Sequence, residues 1–304
     1  IDNDVLGKDF GNIDVCLFNS TDKSIGIRSL QHGVNLVLKR NLEGNAVGTG
    51  LAVAINVKTG QVLACASYPT YNLATFREDY NTLAEDPLKP LYNRALQATY
   101  PPGSTFKMCT LIAAMENKNS KGEIIHPYGT EIKDEGVWNK LEGFAPTCLA
   151  WTSGRYTHGV IDASLALCYS CNYFFYELGD LMNEEMPVKT AQDLGLGVPT
   201  GIELVEKTGK LNTKERKQQV YGTGVNANFS AGDRILGAIG QGEYRFTPLQ
   251  LCVYASTLAN KGTRMKATFL SRVVSSDYRT LIYENKPVVQ EQMNLAGTTI
   301  ESYW

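Results

Sequence analysis

A nearly uncharged segment constrains the fold of this chain more than any other feature of its sequence. From Gly103 to Met115 the sequence reads GSTFKMCTLIAAM, and Lys107 is its only charged residue. A Pro-Pro-Gly entry leads into a run of Phe, Met, Cys, Leu, Ile and Ala, which is typical of a helix in apolar surroundings. We therefore expect this lysine to lie on a helix from which water is largely excluded.

Ser104 lies three residues before the lysine, so the two side chains share a face if they form the first turn of that helix. The helix start also offers Ser104 free backbone N–H groups and the positive end of the helix dipole. Desolvation lowers the pKa of a lysine, and a neutral amine can remove the proton of a nearby hydroxyl. Ser104 and Lys107 are thus a candidate nucleophile and base. The structural alternative is a capping serine beside a lysine that extends to the surface.

The remaining patterns mix strands with helices. Apolar residues recur every four positions over residues 29–42, which predicts an amphipathic helix ended by Gly44 and Asn45. Residues 48–69 contain two apolar, β-rich arms around Asn-Val-Lys-Thr-Gly, a predicted hairpin. Strands and helices that do not alternate strictly favour an α+β fold, in which helices pack on an antiparallel sheet.

The second half of the chain has several helix signals. Helices are expected from Asp162 and from Tyr173, and a longer one begins at Thr247. Thr247 and Gln250 form a capping box, with Pro at the first helical position. The polar residues 206–235 are expected to form loops.

Length and composition exclude several classes of protein. With 304 residues, 43% hydrophobic and 20% charged, the chain is long enough for one large domain and is not intrinsically disordered. We expect residues 1–28 to be a connecting segment or the remnant of an upstream domain, and residues 29–304 to form the main domain. A net charge of −2 gives no basic footprint for nucleic acid. Seven cysteines cannot all pair within the chain, which favours free thiols, a metal, or a reducing or oxygen-free surrounding.

A second polar cluster, Tyr169-Ser170-Cys171-Asn172, lies between two predicted helices. In an extended or turn segment Ser170 and Asn172 point the same way, and Cys171 points the opposite way. Ser-x-x-Lys followed by Ser-x-Asn is part of a motif set shared by penicillin-binding proteins and class A β-lactamases. The chain resembles the class B penicillin-binding proteins over roughly residues 29–304, including the segments NVKTGQVLACASYPTYN, PLYNRALQATYPPGSTFK and AIGQGEYRFTPLQLCVYASTLANKG.

The resemblance implies a penicillin-binding/β-lactamase-like transpeptidase fold, which is α+β with an antiparallel sheet and helices on both faces. It also implies that Ser104 is the acylated nucleophile of a peptidoglycan D,D-transpeptidase and that Lys107 is its activating base. Ser170 and Asn172 would then assist proton transfer and substrate positioning. The backbone N–H of Ser104 would supply one half of the oxyanion hole.

Further expectations follow from the resemblance. The implied substrates are peptidoglycan stem peptides and lipid-linked precursor strands, and β-lactams would acylate the same serine. The chemistry requires no cofactor. A membrane-embedded glycosyltransferase is the implied partner, and an N-terminal anchor not present in this chain would hold the protein at the extracytoplasmic face of the cell membrane. The alternatives are a serine protein that hydrolyses or senses β-lactams, and a non-catalytic wall-binding scaffold.

The sequence departs from the family at the third motif, Lys-Thr-Gly, which should follow the helix that begins at Thr247. The tripeptide occurs at Lys58-Thr59-Gly60, in the early hairpin, and at Lys207-Thr208-Gly209, in a polar loop. Neither position suits a catalytic motif, so we expect both to be turns. The catalytic domain is therefore expected to be incomplete at its C-terminal side.

A possible metal site lies around the second motif. Cys168 and Cys171 have the Cys-x-x-Cys spacing that zinc sites often use, and Cys148 and His158 would complete four ligands. Asp162 is an alternative fourth ligand. A zinc ion with four protein ligands would be structural and would support the Ser170 loop from behind. The alternative is a set of buried free cysteines that serve only in packing.

Overall fold

The computed structural model of the chain describes residues 23–43, 48–277 and 279–303. Helix α1 spans Lys23–Leu42, so it begins before the predicted start at residue 29. The predicted domain boundary between residues 28 and 29 therefore lies inside a helix. The rest of the predicted connecting segment, residues 1–22, lies outside the described residues, as do Gly44 and Asn45.

A hairpin follows α1, as predicted. Strands β1 (Gly50–Ile55) and β2 (Val62–Tyr68) pair antiparallel. The alternate β2 residues Val62, Ala64 and Ala66 are buried, which is the pattern of a strand with one face on a core. Helix α1 packs along β2, where the Cys65 amide donates a 2.7 Å hydrogen bond to Gln31 Oε1.

The segment that contains Ser104 and Lys107, which we call the nucleophile segment after its predicted role, leads into the apolar core. After α2 (Phe76–Glu85) and α3 (Arg94–Gln97), a 3₁₀ turn at Gly103–Phe106 leads directly into α4 (Lys107–Glu116). Eight residues of α4 are buried, among them Lys107. The lack of charge in this segment is explained by two apolar clusters that share the helix. Leu111, Ala113, Ala114 and Met115 belong to one of them, whereas Phe106, Cys109 and Ile112 belong to the other.

The next part of the chain contains three of the helices that pack on α4. It consists of β3 (Ile132–Asp134), α5 (Leu149–Gly154), β4 (Gly159–Ile161), α6 (Ala163–Cys168), α7 (Asn172–Leu181) and α8 (Glu185–Asp193). Strands β3 and β4 pair antiparallel, with Asp134 opposite Gly159. Helices α6, α7 and α8 pack on α4. The predicted helices near Asp162 and Tyr173 are confirmed as α6 and α7.

The C-terminal part contains the elements α9 (Lys214–Tyr221), α10 (Ala231–Gly237), α11 (Pro248–Ala259), β5 (Thr263–Met265), β6 (Arg272–Val274), β7 (Leu281–Glu284), β8 (Val289–Gln292) and α12 (Gly297–Glu301). The prediction of loops over residues 206–235 is wrong for α9 and α10. Thr213 caps α9, and Ser230 forms a capping box with Asp233 at α10. Helix α9 has no buried residue, so it lacks the apolar period that would have identified it.

The strands of the described residues form antiparallel pairs, β1 with β2, β3 with β4, β5 with β8 and β6 with β7. Helix α1 packs on β2 and α11 packs on β1, so two helices pack on the hairpin. The α+β class is confirmed, although the strands described form separate pairs. Among the described residues, no helix combines the length and the apolar character needed to cross a bilayer.

Candidate active site

Ser104 lies in the 3₁₀ turn that precedes α4, and its side chain is exposed. The amide of Gly103 donates to the carbonyl of Gly240 at 3.1 Å, which fixes the start of the turn. The Lys107 amide donates to the Ser104 carbonyl, a bond that spans three residues. Side chains three apart in a 3₁₀ helix are eclipsed, so Ser104 and Lys107 share one face, although the turn is not the α-helical turn that we predicted.

Lys107 is almost completely buried, with 1% of its surface exposed. Its Nζ donates to the Ser170 carbonyl (2.7 Å), to Ser170 Oγ (2.9 Å) and to Asn172 Oδ1 (2.6 Å). The ring centre of Phe175 is 5.4 Å from the same atom. This geometry excludes the alternative of a lysine that extends to the surface.

The charge of this amine is weakened by its surroundings. Burial lowers the pKa of Lys107 from 10.5 to about 8, although the nearby thiols of Cys171 and Cys148 oppose the shift. A substantial fraction of the amine is therefore neutral slightly above neutral pH. A neutral amine on the same face as an exposed serine hydroxyl can act as the base that activates it.

The loop between α6 and α7 brings the second motif to the first. Ser170 has a left-handed backbone, with φ of 52°, and its amide donates to the Leu167 carbonyl. The bend directs Ser170 and Asn172 toward the Lys107 amine, while Cys171 is fully buried on the opposite side. The loop therefore has the predicted arrangement, in which Cys171 points away from the side on which Ser170 and Asn172 lie.

Four ligand-type side chains converge behind this loop. Asp134, Cys148, His158 and Cys171 offer atoms that all lie within 4.8 Å of one another, and we call them the rear cluster. The Sγ atoms of Cys148 and Cys171 are 3.9 Å apart, and His158 Nδ1 lies 3.7 Å from Cys148 Sγ and 2.7 Å from Asp134 Oδ2. Two thiols, an imidazole and a carboxylate are a donor set that Zn²⁺ accepts.

Two of the predicted ligands, Cys168 and Asp162, do not belong to the rear cluster. Cys168 is exposed at the end of α6, and the left-handed Ser170 separates it from the buried Cys171. Asp162 caps α6 instead, since its Oδ1 accepts the Leu165 amide at 2.9 Å. The sequence reasoning missed Asp134, because only the pairing of β3 with β4 brings it to His158.

The first Lys-Thr-Gly tripeptide forms a turn, whereas the second lies in an irregular loop and not in the expected turn. Lys58-Thr59-Gly60 closes the β1–β2 hairpin, and Lys58 Nζ donates to Asn260 Oδ1 at 2.7 Å. Lys207-Thr208-Gly209 is bound to the start of α11, where Gln250 Nε2 donates to the Thr208 carbonyl at 2.9 Å. The Lys58 amine and the Thr208 carbonyl thus form hydrogen bonds with residues other than Lys107.

The chain matches the family model of the penicillin binding protein transpeptidase domain over residues 50–302. It is 32% identical over 243 residues to the peptidoglycan D,D-transpeptidase MrdA of Acinetobacter baumannii, which covers 78% of this chain and 34% of that protein. It is 31% identical over 278 residues to MrdA of Escherichia coli K12, with 89% of this chain and 41% of that protein covered. The chain therefore spans less than half the length of these curated relatives.

A solved structure agrees with this match at the level of the fold. The complex between the penicillin-binding protein PBP2 and MreC from Helicobacter pylori contains a chain similar to this one, with a TM-score of 0.69 and 24% identity. The similarity covers 87% of this chain and 44% of that one. At this identity the likeness concerns the arrangement of the elements.

Proposed function

Because the chain belongs to the transpeptidase family of class B penicillin-binding proteins, we propose that it cross-links peptidoglycan stem peptides through an acyl-enzyme at Ser104. The observation that carries this proposal is the buried Lys107 amine, which shares a face with Ser104 and is bonded to Ser170 and Asn172. Nucleophile, base and orienting groups are the constellation that acyl transfer requires.

We infer a role for each group in this reaction. Ser104 Oγ attacks the carbonyl of the penultimate D-alanine while the neutral Lys107 amine accepts its proton. The tetrahedral intermediate collapses, the C–N bond breaks, and D-alanine leaves with a proton returned through Lys107 and Ser170 Oγ, which are 2.9 Å apart. The amine of a neighbouring stem then attacks the ester and releases Ser104. The Ser104 amide at the turn is a donor for the oxyanion.

Substrates, partners and location are part of the same proposal. The donor and acceptor are stem peptides on lipid-linked precursor strands, and a β-lactam acylates Ser104 in place of the donor. A membrane-embedded glycosyltransferase supplies the strands, and an N-terminal anchor places the domain at the extracytoplasmic face. The relative from Helicobacter pylori that was solved with MreC supports a role within a larger assembly.

The decisive experiment is incubation of the whole protein that contains this sequence with a fluorescent penicillin, followed by intact mass and peptide mapping. A stable adduct at Ser104 that is absent from S104A supports the transpeptidase. Rapid release of hydrolysed penicillin would instead indicate a β-lactam hydrolase. A whole protein that forms no adduct would indicate a wall-binding scaffold and would overturn the proposal.

We also propose that the rear cluster holds one structural zinc ion, with Asp134 in the place first given to Cys168 or Asp162. The four ligands are mostly buried and belong to the chain, which leaves no open position for catalysis. Elemental analysis of the purified protein should give about one zinc per chain, and a chelator should lower the midpoint of thermal unfolding. Metal content near zero with an unchanged midpoint would discard the site.

A further inference from the structure

A tyrosine from α11 interrupts the backbone hydrogen bonds of the nucleophile segment. Tyr254 is buried, with 2% of its surface exposed. Its hydroxyl donates to the Thr105 carbonyl at 2.9 Å and accepts from the Cys109 amide at 3.1 Å. These two backbone groups flank Lys107, so a side chain distant in sequence bonds on both sides of the base.

The two groups would bond to each other in a continuous α-helix, since an amide donates to the carbonyl four residues earlier. Here the Tyr254 hydroxyl takes the place of that direct bond, at the point where the 3₁₀ turn Gly103–Phe106 becomes α4. A side chain inserted into the hydrogen-bond ladder is a recognised cause of a local change in helix geometry. Burial also raises the pKa of Tyr254 well above its usual value, so the hydroxyl keeps the proton that it donates.

The 3₁₀ geometry decides how Ser104 faces Lys107. Side chains three apart are eclipsed in a 3₁₀ helix, whereas they are rotated by roughly 60° about the axis of an α-helix. Loss of the inserted hydroxyl frees the Thr105 carbonyl and the Cys109 amide to bond directly. The α-helix would then extend toward Ser104 and turn its hydroxyl away from the Lys107 amine.

We propose that Tyr254 is a positioning residue for acylation, because its hydroxyl keeps the turn Gly103–Phe106 in the 3₁₀ form that aligns the nucleophile with its base. The inference rests on the proposed function of Ser104. Tyr254 contacts the backbone of the segment and not the reacting groups, so it acts through geometry alone.

The test compares two tyrosines of the same apolar cluster in the whole protein. Tyr254→Phe removes the bridging hydroxyl and keeps the ring. Tyr244→Phe removes a hydroxyl from another buried ring, whose centre lies 4.3 Å from the ring centre of Phe106. Among the described residues, the Tyr244 hydroxyl makes no hydrogen bond to the segment 104–109. For each protein, single-turnover kinetics with a penicillin give the non-covalent binding constant and the acylation rate constant. Intact mass gives the final stoichiometry of the adduct.

Tyr254→Phe should lower the acylation rate constant by about 10- to 100-fold, the cost of a small misplacement of reacting groups. Its binding constant and its final stoichiometry should match the wild type, and Tyr244→Phe should match it in all three measurements. Hydrogen exchange should detect the change at the Cys109 amide independently of activity. Equal rate constants in the two variants, or a lower stoichiometry at an unchanged rate constant, would overturn the proposal. A wild-type protein that is not acylated at Ser104 would refute the proposed function itself, and the inference would be rejected with it.

Discussion

Lys107 combines almost complete burial with three oxygen partners and a lowered pKa. Exposed lysines differ on each count, since they remain charged and their bonds exchange with water. The reactivity of the site is thus a property of the environment of one amine.

The rate of acylation should depend on pH through this amine. With its pKa near 8, Lys107 is mostly charged at lower pH and cannot accept the serine proton. The acylation rate constant should therefore rise about tenfold per pH unit in the acidic range and level off above pH ~8. Stopped-flow measurements with a penicillin between about pH 6 and 9 test this, and a flat profile would contradict it.

The same amine predicts a pH dependence of stability that requires no substrate. Its pKa is 10.5 when unfolded and about 8 when folded, so the unfolded chain binds more protons between these values. The free energy of unfolding should therefore gain a component that rises with pH across that window. Lys107→Met should lose this component, whereas Lys189→Met, at an exposed lysine paired with Asp193, should keep it. Equal slopes for Lys107→Met and the wild type would contradict the assignment.

Substitutions in and around the rear cluster distinguish its ligands from their neighbours. Asp134→Asn should reduce the bound zinc and lower the thermal midpoint, because it removes one charged donor. Asp162→Asn and Cys168→Ser should retain the metal, since those residues lie outside the cluster. Elemental analysis of the three variants is the measurement. Full zinc content in Asp134→Asn, or its loss in Cys168→Ser, would contradict the assignment.

The loop before α11 packs closely against the 3₁₀ turn Gly103–Phe106. Gly240 has φ of 73°, and a Cβ there would lie 2.1 Å from the Gly103 carbonyl oxygen. Gly222 has φ of 70° but open space around it, so it is a matched control for backbone strain alone. The backbone of Gly222, with ψ of −123°, is one that alanine rarely adopts, so Gly222→Ala should cost about 1–3 kcal/mol of unfolding free energy.

Gly240→Ala should cost more than Gly222→Ala, because the added methyl group must displace the backbone next to Ser104. It should also slow acylation by penicillin, whereas the control should not. Chemical denaturation and acylation kinetics of both variants are the measurements. Equal losses of stability together with equal acylation rates would show that the close contact is unimportant.

Local signals in the sequence were sufficient for several elements. The capping box of Thr247 and Gln250 forms both of its bonds at 3.2 Å, because the partners are three residues apart and need no tertiary contact. Ser104 and Lys107 are equally close in sequence. Asp134 could not be found this way, since its place depends on the pairing of two three-residue strands. The prediction that Cys168 lies with the other ligands was wrong for the converse reason. The Cys-x-x-Cys spacing gives no information about the bend at Ser170.

Helix α4 joins two apolar clusters, and the two clusters should therefore unfold together. Phe174 lies in one cluster and Phe246 in the other, and both are fully buried. Phe174→Ala and Phe246→Ala should each cost about 3–5 kcal/mol while a single unfolding transition is kept. Leu73→Ala, at a residue 80% exposed, is the control and should have little effect. Two separate transitions in either core variant, seen by calorimetry, would contradict this coupling.

The short loop between α6 and α7 contributes to two groups of side chains. Cys171 belongs to the rear cluster, and the residues on either side of it bind Lys107. A substitution that changes the contacts on one side of that loop therefore also affects the contacts on its other side. A substitution at Cys171 must preserve the bend at Ser170, and a substitution at Ser170 or Asn172 must leave Cys171 in the rear cluster. Position 171 should therefore vary together with positions 134, 148 and 158 among related sequences.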